Sequence, residues 1–147
     1  MTSLLSLDPG GTTGLALFEY DENSYELVWR KQVPNGLQGF LDWTWEEGED
    51  MLIDEIVCEN FSLREGLHGV DLSPCYVIGA LEALWPNAVT PITYQAPSQK
   101  SLCGEERLAK LRLHVPGKPH ANDAVRHGII YLRNKKHKAV LKDGWAD

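Results

Sequence analysis

The sequence predicts one α/β domain in which a mixed β-sheet is flanked by helices. The chain of 147 residues has the length of a single domain. Its 43% hydrophobic and 24% charged residues are the proportions of a globular protein, which excludes a disordered or low-complexity chain. Three short strands joined by turns come first, and two further strands alternate with helical segments. We therefore expect residues 1–147 to form a single domain.

The N-terminal third contains short apolar or alternating runs bounded by turn residues. Glycines follow the first run, and Asp21–Ser24 separates the second from the third. A helix is predicted from Leu37 to about Glu47, because apolar side chains recur there at helical spacing. The three predicted strands are Thr2–Leu7, Gly14–Tyr20 and Tyr25–Val33.

The rest of the chain alternates strands with helices. A buried strand over Leu52–Glu59 ends in a carboxylate, and residues 60–72 form a polar loop that contains glycine. The hydrophobic residues of His137–Asp147 follow no clear helical or strand period. The other predicted elements are a helix over Ser73–Trp85, a strand over Ala88–Tyr94, a short helical region from Ala96 to about Leu113 and a helix from about His120 to Lys136.

The charged residues are distributed unevenly, although the net charge is −7. Residues 1–90 carry 16 acidic and 3 basic side chains, whereas residues 91–147 carry 5 acidic and 11 basic ones. Such a domain can present a basic face to phosphates despite its acidic total charge, but a solvated, lysine-rich C-terminal helix explains the pattern equally well. The candidate phosphate contacts are Lys100, Lys110, Arg112, Lys118, Arg133, Lys135 and Lys136.

The cysteines and the N-terminus predict the compartment. Cys58, Cys75 and Cys103 are odd in number and lack the CxxC spacing, which argues against both a zinc ribbon and a disulfide framework. The first residues lack a basic n-region, and no apolar stretch approaches the roughly 20 residues that span a bilayer. We expect a cytoplasmic protein without a signal peptide or a membrane segment.

Asp8 stands where the first strand meets the glycine-rich turn DPGGTTG. A Walker phosphate loop is excluded because no lysine precedes Lys31. A dinucleotide fingerprint is excluded because this turn opens a strand rather than a helix. Two interpretations remain, a carboxylate exposed at the carboxyl end of a strand and a hairpin turn that contains an aspartate by chance.

Glu59 is a second carboxylate at a strand end, after the apolar run Ile56–Cys58. A charge beside a core costs several kcal/mol unless it is paired or binds a metal. If the first and fourth strands are parallel neighbours, Asp8 and Glu59 emerge side by side. The two carboxylates then repel each other, and a divalent cation relieves that repulsion.

His120 and Asp123 lie at the start of the last predicted helix. Residues three apart share one helical face, so both side chains can point toward the same ion. Two other interpretations stay open: His127, four residues after Asp123, pairs with that carboxylate, or Asn122 is a plain helix cap.

Four segments of the chain match a known family when they are taken together. They are LLSLDPGGTTGLALFE, IVCEN, YQAPSQKS and PHANDAVRHGIIYL. In order and spacing they resemble the RuvC-like Holliday junction resolvases of the RNase H-like (retroviral integrase) superfamily, over nearly the whole chain. The resemblance implies an RNase H-like fold with five strands in the order 3-2-1-4-5. The short length and the acidic N-terminal half are more similar to phage-encoded members than to cellular ones.

The resemblance assigns the family's catalytic, metal-binding residues to Asp8, Glu59, His120 and Asp123. Hard oxygen donors with one imidazole favour Mg²⁺ or Mn²⁺ over zinc. Two such ions about 4 Å apart can activate a water, orient the scissile phosphate and stabilise the leaving 3′ oxygen. The implied activity is cleavage of Holliday junctions and related branched DNA by phosphodiester hydrolysis, in recombination, repair or phage DNA processing.

The resemblance also implies contacts with the DNA. The family's lysine falls approximately on Lys100, but the spacing A-P-S-Q-K is one residue shorter here, so Ser98 or Gln99 can line the groove instead. Residues 60–72 correspond to a segment that approaches the junction in relatives. Resolving a four-way junction needs two symmetric cuts, so we expect a twofold homodimer.

The helix over Ser73–Trp85 is the candidate dimer interface, with simple burial against the sheet as the alternative. Its apolar side chains form a broader surface than one sheet face requires, and its small residues permit close approach of a partner helix. The apolar side chains are Tyr76, Val77, Ala80, Leu81 and Leu84, and the small residues are Gly79 and Ala83.

Two other functions remain open. The turn after the first strand is shared with ATP-handling proteins of the actin/Hsp70/sugar-kinase superfold, but those proteins close two such domains over a nucleotide, and this chain supplies one. A non-catalytic module that binds branched DNA would keep the fold, yet it has no reason to keep four paired ligands. Metal-dependent cleavage of a four-way junction separates the three classes.

Overall fold

The computed structural model describes residues 1–48, 50–62 and 69–146, and five strands in these ranges form one sheet. The strands are β1 (Thr2–Asp8), β2 (Thr13–Tyr20), β3 (Tyr25–Val33), β4 (Glu55–Glu59) and β5 (Ile92–Gln95). Their order is β3-β2-β1-β4-β5. The β1–β2 and β2–β3 pairs are antiparallel, and the β1–β4 and β4–β5 pairs are parallel. The predicted mixed sheet and its strand order are confirmed.

Helical segments flank the sheet. In the described ranges they are α1 (Gly36–Trp43), a π-helical turn (Thr44–Gly48), α2 (Ser73–Leu84), a 3₁₀-helix (Pro97–Cys103), α3 (Glu105–Lys110), α4 (Pro119–Asn134) and α5 (Lys138–Gly144). Helix α4 packs on one face of the sheet, and α1 and α2 pack together on the other face. None of the described helices is both long enough and apolar enough to cross a bilayer.

The pleat of the strands divides the core into two layers. In β1, Leu4 packs in the layer beneath α4, whereas Leu5 and Leu7 pack in the layer beneath α1 and α2. Successive side chains of a strand point to opposite faces, so Asp8 and, in β4, Glu59 lie on the α4 side. The two carboxylates at the strand ends therefore face the same helix.

Contacts from β2 and β3 hold the first turn of α4. The Gln32 side-chain oxygen accepts the backbone N–H groups of His120 at 3.0 Å and Ala121 at 3.2 Å, so a residue of β3 satisfies two free donors of this helix. Gly14 lies so close to α4 that a Cβ atom there would be 1.8 Å from the His120 carbonyl oxygen. The absence of a side chain at Gly14 thus lets α4 begin directly against the sheet.

Asn122 is buried and connects α4 to the preceding loop. Its Nδ2 donates to the Val115 carbonyl at 2.7 Å, and its Oδ1 accepts from Arg30 at 3.0 Å. The interpretation of Asn122 as a plain cap is wrong, because Lys118 is the residue at the N-cap and the Asn122 side chain is bound elsewhere.

Two strands are shorter than predicted. Strand β4 begins at Glu55 rather than Leu52. Strand β5 begins at Ile92 rather than Ala88, because the Pro86 carbonyl accepts two backbone N–H groups and closes a turn there. In both cases the hydrophobic pattern continues beyond the backbone that is paired in the sheet.

The predicted helices differ from those of the structure in two places. The predicted region over residues 96–113 is divided into the 3₁₀-helix and α3 by Gly104, which has an extended backbone. The tail contains α5, which the sequence did not indicate; His137 caps it, with its Nδ1 accepting the Val140 N–H at 3.4 Å. A helix of 7 residues is too short for its hydrophobic period to stand out.

The predicted interface helix is α2, but two of its side chains belong to the core. Val77 and Leu81 have no exposed surface and pack against the sheet, because residues four apart share one helical face. Their assignment to a dimer interface is therefore wrong. Ala80 is half-buried, whereas Tyr76 is 57% exposed and Leu84 is 41% exposed.

The loop predicted over residues 60–72 is described only in part. Residues 60–62 and 69–72 have neither helix nor strand, as predicted. Residues 63–68 lie outside the described ranges. The expected approach of this segment to a DNA junction falls largely on those residues and stays a prediction.

Candidate active site

Asp8 and Glu59 end two parallel strands at the same edge of the sheet. Leu7 lies opposite Cys58 in the register of β1 and β4, so the next residues along the two strands are Asp8 and Glu59. Both are buried, at 7% and 8% exposure, and their side chains are hydrogen-bonded to each other. The predicted parallel pairing of the first and fourth strands is confirmed, and it brings two carboxyl groups into a place that water scarcely reaches.

The proximity of the two carboxyl groups separates their pKa values. Burial, the hydrogen bond with Glu59 and the charge of Glu59 raise the pKa of Asp8 from 3.8 to about 9. Burial alone would also raise the pKa of Glu59, but contacts with His127, Asp8 and Lys100 outweigh burial and lower it. At neutral pH the pair therefore carries one negative charge, with the proton on Asp8.

The first turns of α4 bring His120 and Asp123 to this edge. The His120 Nδ1 lies 3.8 Å from an Asp8 carboxylate oxygen, and the His120 side chain is 47% exposed. Asp123 accepts a hydrogen bond from the Arg126 guanidinium at 2.8 Å. All four predicted site residues thus lie at one edge of the sheet, and His120 is the member most open to solvent.

Lys100 links two of the acids. Its Nζ lies 3.0 Å from the Glu59 Oε1 and 3.4 Å from the Asp123 Oδ2. Burial alone would lower the pKa of Lys100, but its contact with Glu59 outweighs burial and raises it, so this side chain is a cation. Although the A-P-S-Q-K spacing is one residue shorter than in the family, the 3₁₀-helix after β5 still brings the lysine to the acids.

The two alternatives to Lys100 have different surroundings. Ser98 lines a groove of about 360 Å³ beside Glu59 and Asn60. The Gln99 side chain instead turns back to its own helix, where its Oε1 accepts the Ala96 N–H at 2.9 Å. Of the two, Ser98 is the residue that borders the acidic site.

Sequence reasoning misses the polar side chains behind Glu59. His127 has no exposed surface, its Nδ1 lies 2.7 Å from the Gln95 Oε1, and its Nε2 lies 3.3 Å from the Glu59 Oε1. The alternative that pairs His127 with Asp123 is wrong, because Asp123 pairs with Arg126 instead. The only indication in the sequence is a histidine one helical turn after Asp123, and that spacing does not say which strand end the ring meets.

The donors fit a divalent cation most clearly at the Asp8–Glu59 pair. No three His, Cys, Asp or Glu side chains within the described ranges are grouped as a metal ion requires, and Lys100 lies between Glu59 and Asp123. The pair nevertheless offers hard oxygen donors, and the Glu59 Oε1 is buried without an aligned hydrogen bond. The ligand set of Asp8, Glu59, His120 and Asp123 remains a prediction, and this pair is the part of it with donors side by side.

Three of the predicted phosphate contacts flank α4, and they lie at opposite ends of this helix. Lys118 is exposed at the N-cap of the helix, two residues before His120. Lys135 and Lys136 follow its end, on the order of 18 Å from Asp123 along the axis. Lys135 is paired there with Glu55 at 2.7 Å.

Within the described ranges, the other three basic candidates have no hydrogen bond or ion pair with the acids. Lys110 donates to the Ala146 carbonyl at 3.1 Å. Arg112 is exposed after α3, and the Arg133 guanidinium lies 5.4 Å from the centre of the Trp145 ring. Of the predicted set, Lys100 is the residue in contact with the acids, and Lys118 precedes the site residue His120 by two positions.

Similarity to known proteins is found in structure rather than in sequence. No protein-family model and no curated protein matches the chain. RuvC of Thermus thermophilus in complex with a Holliday junction substrate matches with a TM-score of 0.69 and 13% identity, over 92% of this chain and 96% of that chain. A second structure of Thermus thermophilus RuvC has a TM-score of 0.67 and 15% identity, over 92% and 98%. The fowlpox virus resolvase in complex with Holliday junction DNA has a TM-score of 0.65 and 12% identity, over 91% and 99%.

The chain has a RuvC-like resolvase fold. The RuvC-like resemblance of the four sequence segments and the sheet order 3-2-1-4-5 are thereby confirmed. At these identities the likeness concerns the fold, so the roles of individual residues depend on the geometry of this chain. Within the RuvC-like fold, Asp8 and Glu59 occupy the carboxyl ends of adjacent parallel strands, where ligands of α/β sheets commonly bind.

We expect Asp8→Asn to stabilise the metal-free protein at pH 8. The unfolded carboxyl group ionises near its ordinary pKa of 3.8, whereas burial raises the pKa of Asp8 in the folded protein to about 9. The folded state therefore loses stability as the pH rises from about 4 to about 9, and a neutral amide avoids this cost, which amounts to several kcal/mol at pH 8. Thermal unfolding in EDTA between pH 4 and pH 9 measures the difference.

Asp21→Asn is the control for this measurement. Asp21 is exposed, and hydrogen bonds from Asn23 and Ser24 lower its pKa. A lowered pKa contributes stability that is lost as the pH falls, so this variant should gain nothing at pH 8. Identical melting temperatures of wild type and Asp8→Asn across the whole pH range would contradict a buried, protonated Asp8.

Proposed function

We propose that the chain is a divalent-metal-dependent, structure-selective endodeoxyribonuclease that cuts Holliday junctions and related branched DNA by hydrolysing phosphodiester bonds. The observation that carries this proposal is the cluster of Asp8, Glu59, His120 and Asp123 at one edge of a RuvC-like sheet. RuvC of Thermus thermophilus and the fowlpox virus resolvase, which have the same fold, are each described in complex with Holliday junction DNA. The processes we assign to the activity are DNA recombination, repair or phage DNA processing.

Asp8 and Glu59 would hold the catalytic Mg²⁺ or Mn²⁺, with Asp123 and His120 completing the ligand set of two ions. Carboxylate oxygens are the donors that these hard cations prefer. When bound, the cations supply Lewis acidity to the scissile phosphate and to the attacking water. Asp8 must first lose the proton that burial retains, since its pKa is about 9, so cation affinity should increase with pH.

Lys100 and His120 have complementary tasks in this proposal. The Lys100 ammonium stands between Glu59 and Asp123 and offsets carboxylate charge that would otherwise repel a DNA phosphate. His120 is the most exposed site residue, so we assign to it the orientation of the attacking water. Arg126 keeps Asp123 in place through its hydrogen bond at 2.8 Å.

Asp8→Asn and Glu59→Gln are expected to abolish cleavage and to leave junction binding largely intact. Each change removes a charged oxygen donor and keeps the shape of the side chain, so the cleavage rate should fall by a factor of at least about 100. The measurement is cleavage of a four-way junction with Mg²⁺ or Mn²⁺, together with junction binding in the absence of metal. Forks, flaps and single strands in the same assay define the substrate range.

Glu26→Gln is the matched control for these variants, because Glu26 is an exposed carboxylate at the far end of β3. It should cut at the wild-type rate. Rates within about tenfold of wild type for Asp8→Asn or Glu59→Gln would contradict the assignment of the site. ATP hydrolysis without DNA cleavage would favour the ATPase alternative, and junction binding without cleavage by wild type would favour a non-catalytic module.

Lys118→Ala should weaken the binding of every branched DNA and reduce the slope of log affinity against log salt by about 1. Lys118 is exposed at the N-cap of α4, two residues before the site residue His120, and we expect the phosphate backbone to pass there. Lys135→Ala is the control, since the Lys135 ammonium is paired with Glu55 at the other end of α4. Fluorescence anisotropy over a salt series measures both slopes, and a larger effect of Lys135→Ala would instead support the phosphate contacts predicted at that end.

A homodimer is the assembly that we propose for paired cutting. Two symmetric cuts need two sites related by a twofold axis, and the described part of the chain offers one acidic cluster of this kind. The exposed face of α2, with Tyr76 and Leu84, is the candidate interface. Large apolar side chains that stay exposed along one helix are typical of interaction surfaces.

Leu84→Glu is expected to convert the dimer to a monomer and to abolish paired cuts but not single nicks. The new charge would be buried in an apolar contact without a partner. Asn23→Glu adds the same charge in an exposed turn outside α2 and should leave the dimer intact. Analytical ultracentrifugation with and without junction DNA gives the mass. Wild-type protein that is monomeric at micromolar concentration and remains so on the junction would contradict the dimer.

The cysteines support a cytoplasmic setting for this activity. Cys58 and Cys103 are buried and Cys75 is exposed, and all three are free thiols. Free thiols are typical of a reducing compartment. If the chain is encoded by a phage, the setting is the cytoplasm of the bacterial host.

A further inference from the structure

A closed polar cluster lies behind the acidic site. Glu59 and Gln95 are opposite each other in the register of β4 and β5, and His127 of α4 lies over both. Gln95 is 3% exposed and His127 is 0% exposed. Three different elements therefore each contribute one buried polar side chain to the same contact.

The distances determine the direction of the contact between His127 and Glu59. The His127 Nε2 lies 3.3 Å from the Glu59 Oε1, and both atoms are buried without an aligned hydrogen bond to any other group in the described part of the chain. Because a carboxylate oxygen can only accept, a hydrogen bond between the two atoms requires the proton to be on Nε2. On the other side of the ring, Nδ1 lies 2.7 Å from the Gln95 side-chain amide. That amide can present its oxygen to a protonated Nδ1 or its nitrogen to an unprotonated one. An N–H on Nε2 is compatible with both arrangements, because the ring is then an imidazolium in the first and a neutral imidazole in the second.

A role in packing alone does not account for the imidazole. Buried polar groups cost free energy unless they are hydrogen-bonded, and an apolar side chain would fill the same space without that cost. The neighbours of His127 on the buried side of α4 are apolar, among them Ala124, Val125 and Ile130. Within the described ranges, the polar side chains in contact with its ring are Gln95 and Glu59.

We propose that His127 is a positioning residue for Glu59. It donates from Nε2 to the Glu59 carboxylate and holds that group toward Asp8, while Gln95 holds the orientation of the ring. The effect of this positioning on catalysis rests on the function proposed above. The contact between His127 and Glu59 does not rest on that function. Side chains that orient a ligating group typically change metal affinity by about 10- to 100-fold when they are removed.

A double-mutant cycle in the metal-free protein tests the contact by itself. Unfolding equilibrium constants are measured in EDTA for wild type, His127→Phe, Glu59→Gln and the double variant. Because His127→Phe removes the donor and Glu59→Gln removes the charge of the acceptor in the same contact, we expect their effects to be non-additive by at least about fivefold. Additive effects would overturn the proposal, whether or not the protein cuts DNA.

Manganese binding distinguishes positioning from general stability. In calorimetric titrations with Mn²⁺ alone and no DNA, His127→Phe should lower the affinity about tenfold. His127→Gln retains an N–H donor near the position of Nε2, so its affinity should stay within about threefold of wild type. Wild-type affinity in His127→Phe would overturn the positioning role, as would failure of His127→Gln to restore it.

Val125→Ala is the matched control on the same helix. Val125 is buried in the core, so this change should lower the melting temperature. It removes no contact with Glu59 and should leave the Mn²⁺ affinity unchanged. An equal loss of affinity in Val125→Ala and His127→Phe would overturn the proposal. Wild-type protein that neither binds Mn²⁺ nor cuts junctions would contradict the proposed function, and the double-mutant cycle would still decide whether His127 orients Glu59.

Discussion

The acidic site depends on the burial of two carboxyl groups against each other. Asp8 and Glu59 end parallel strands in adjacent register, so the backbone ladder of the sheet determines how close they are. Two negative charges cannot both persist where water is largely excluded. The proton on Asp8, the ammonium of Lys100 and the imidazole of His127 each reduce this repulsion. The divalent cation of the proposed activity would act on the same repulsion.

Helix α4 supplies the other half of the site, and contacts at both of its ends hold it on the sheet. At its start, Gln32 accepts two backbone N–H groups and Gly14 permits close approach. After its end, Lys135 donates to Glu55 at 2.7 Å, and Tyr131 hydrogen-bonds to the same carboxylate. Both contacts limit sliding of α4 along the sheet, which keeps its acidic and imidazole side chains opposite the strand ends.

Local periodicity explains both the success and the errors of the fold prediction. The short apolar run of β1 predicts a buried strand that ends at Asp8, because a run of this length followed by turn residues is visible within the segment itself. The start of β5 is predicted four residues too early, because the Pro86 carbonyl accepts backbone N–H groups that would otherwise continue the strand. Helix α5 depends on the packing of Val140 in the core, and its own short sequence has no clear period.

The sequence by itself determines that Asp8 and Glu59 stand at strand ends and that His120 and Asp123 share a helical face. Both statements follow from the period of one element. Only the tertiary structure decides the partners between elements. It brings His127 to Glu59 instead of Asp123. It also separates Lys118, which precedes α4, from Lys135, which follows it. The physical reason is that these partners depend on sheet register, helix position and burial, which arise from contacts between residues far apart in the chain.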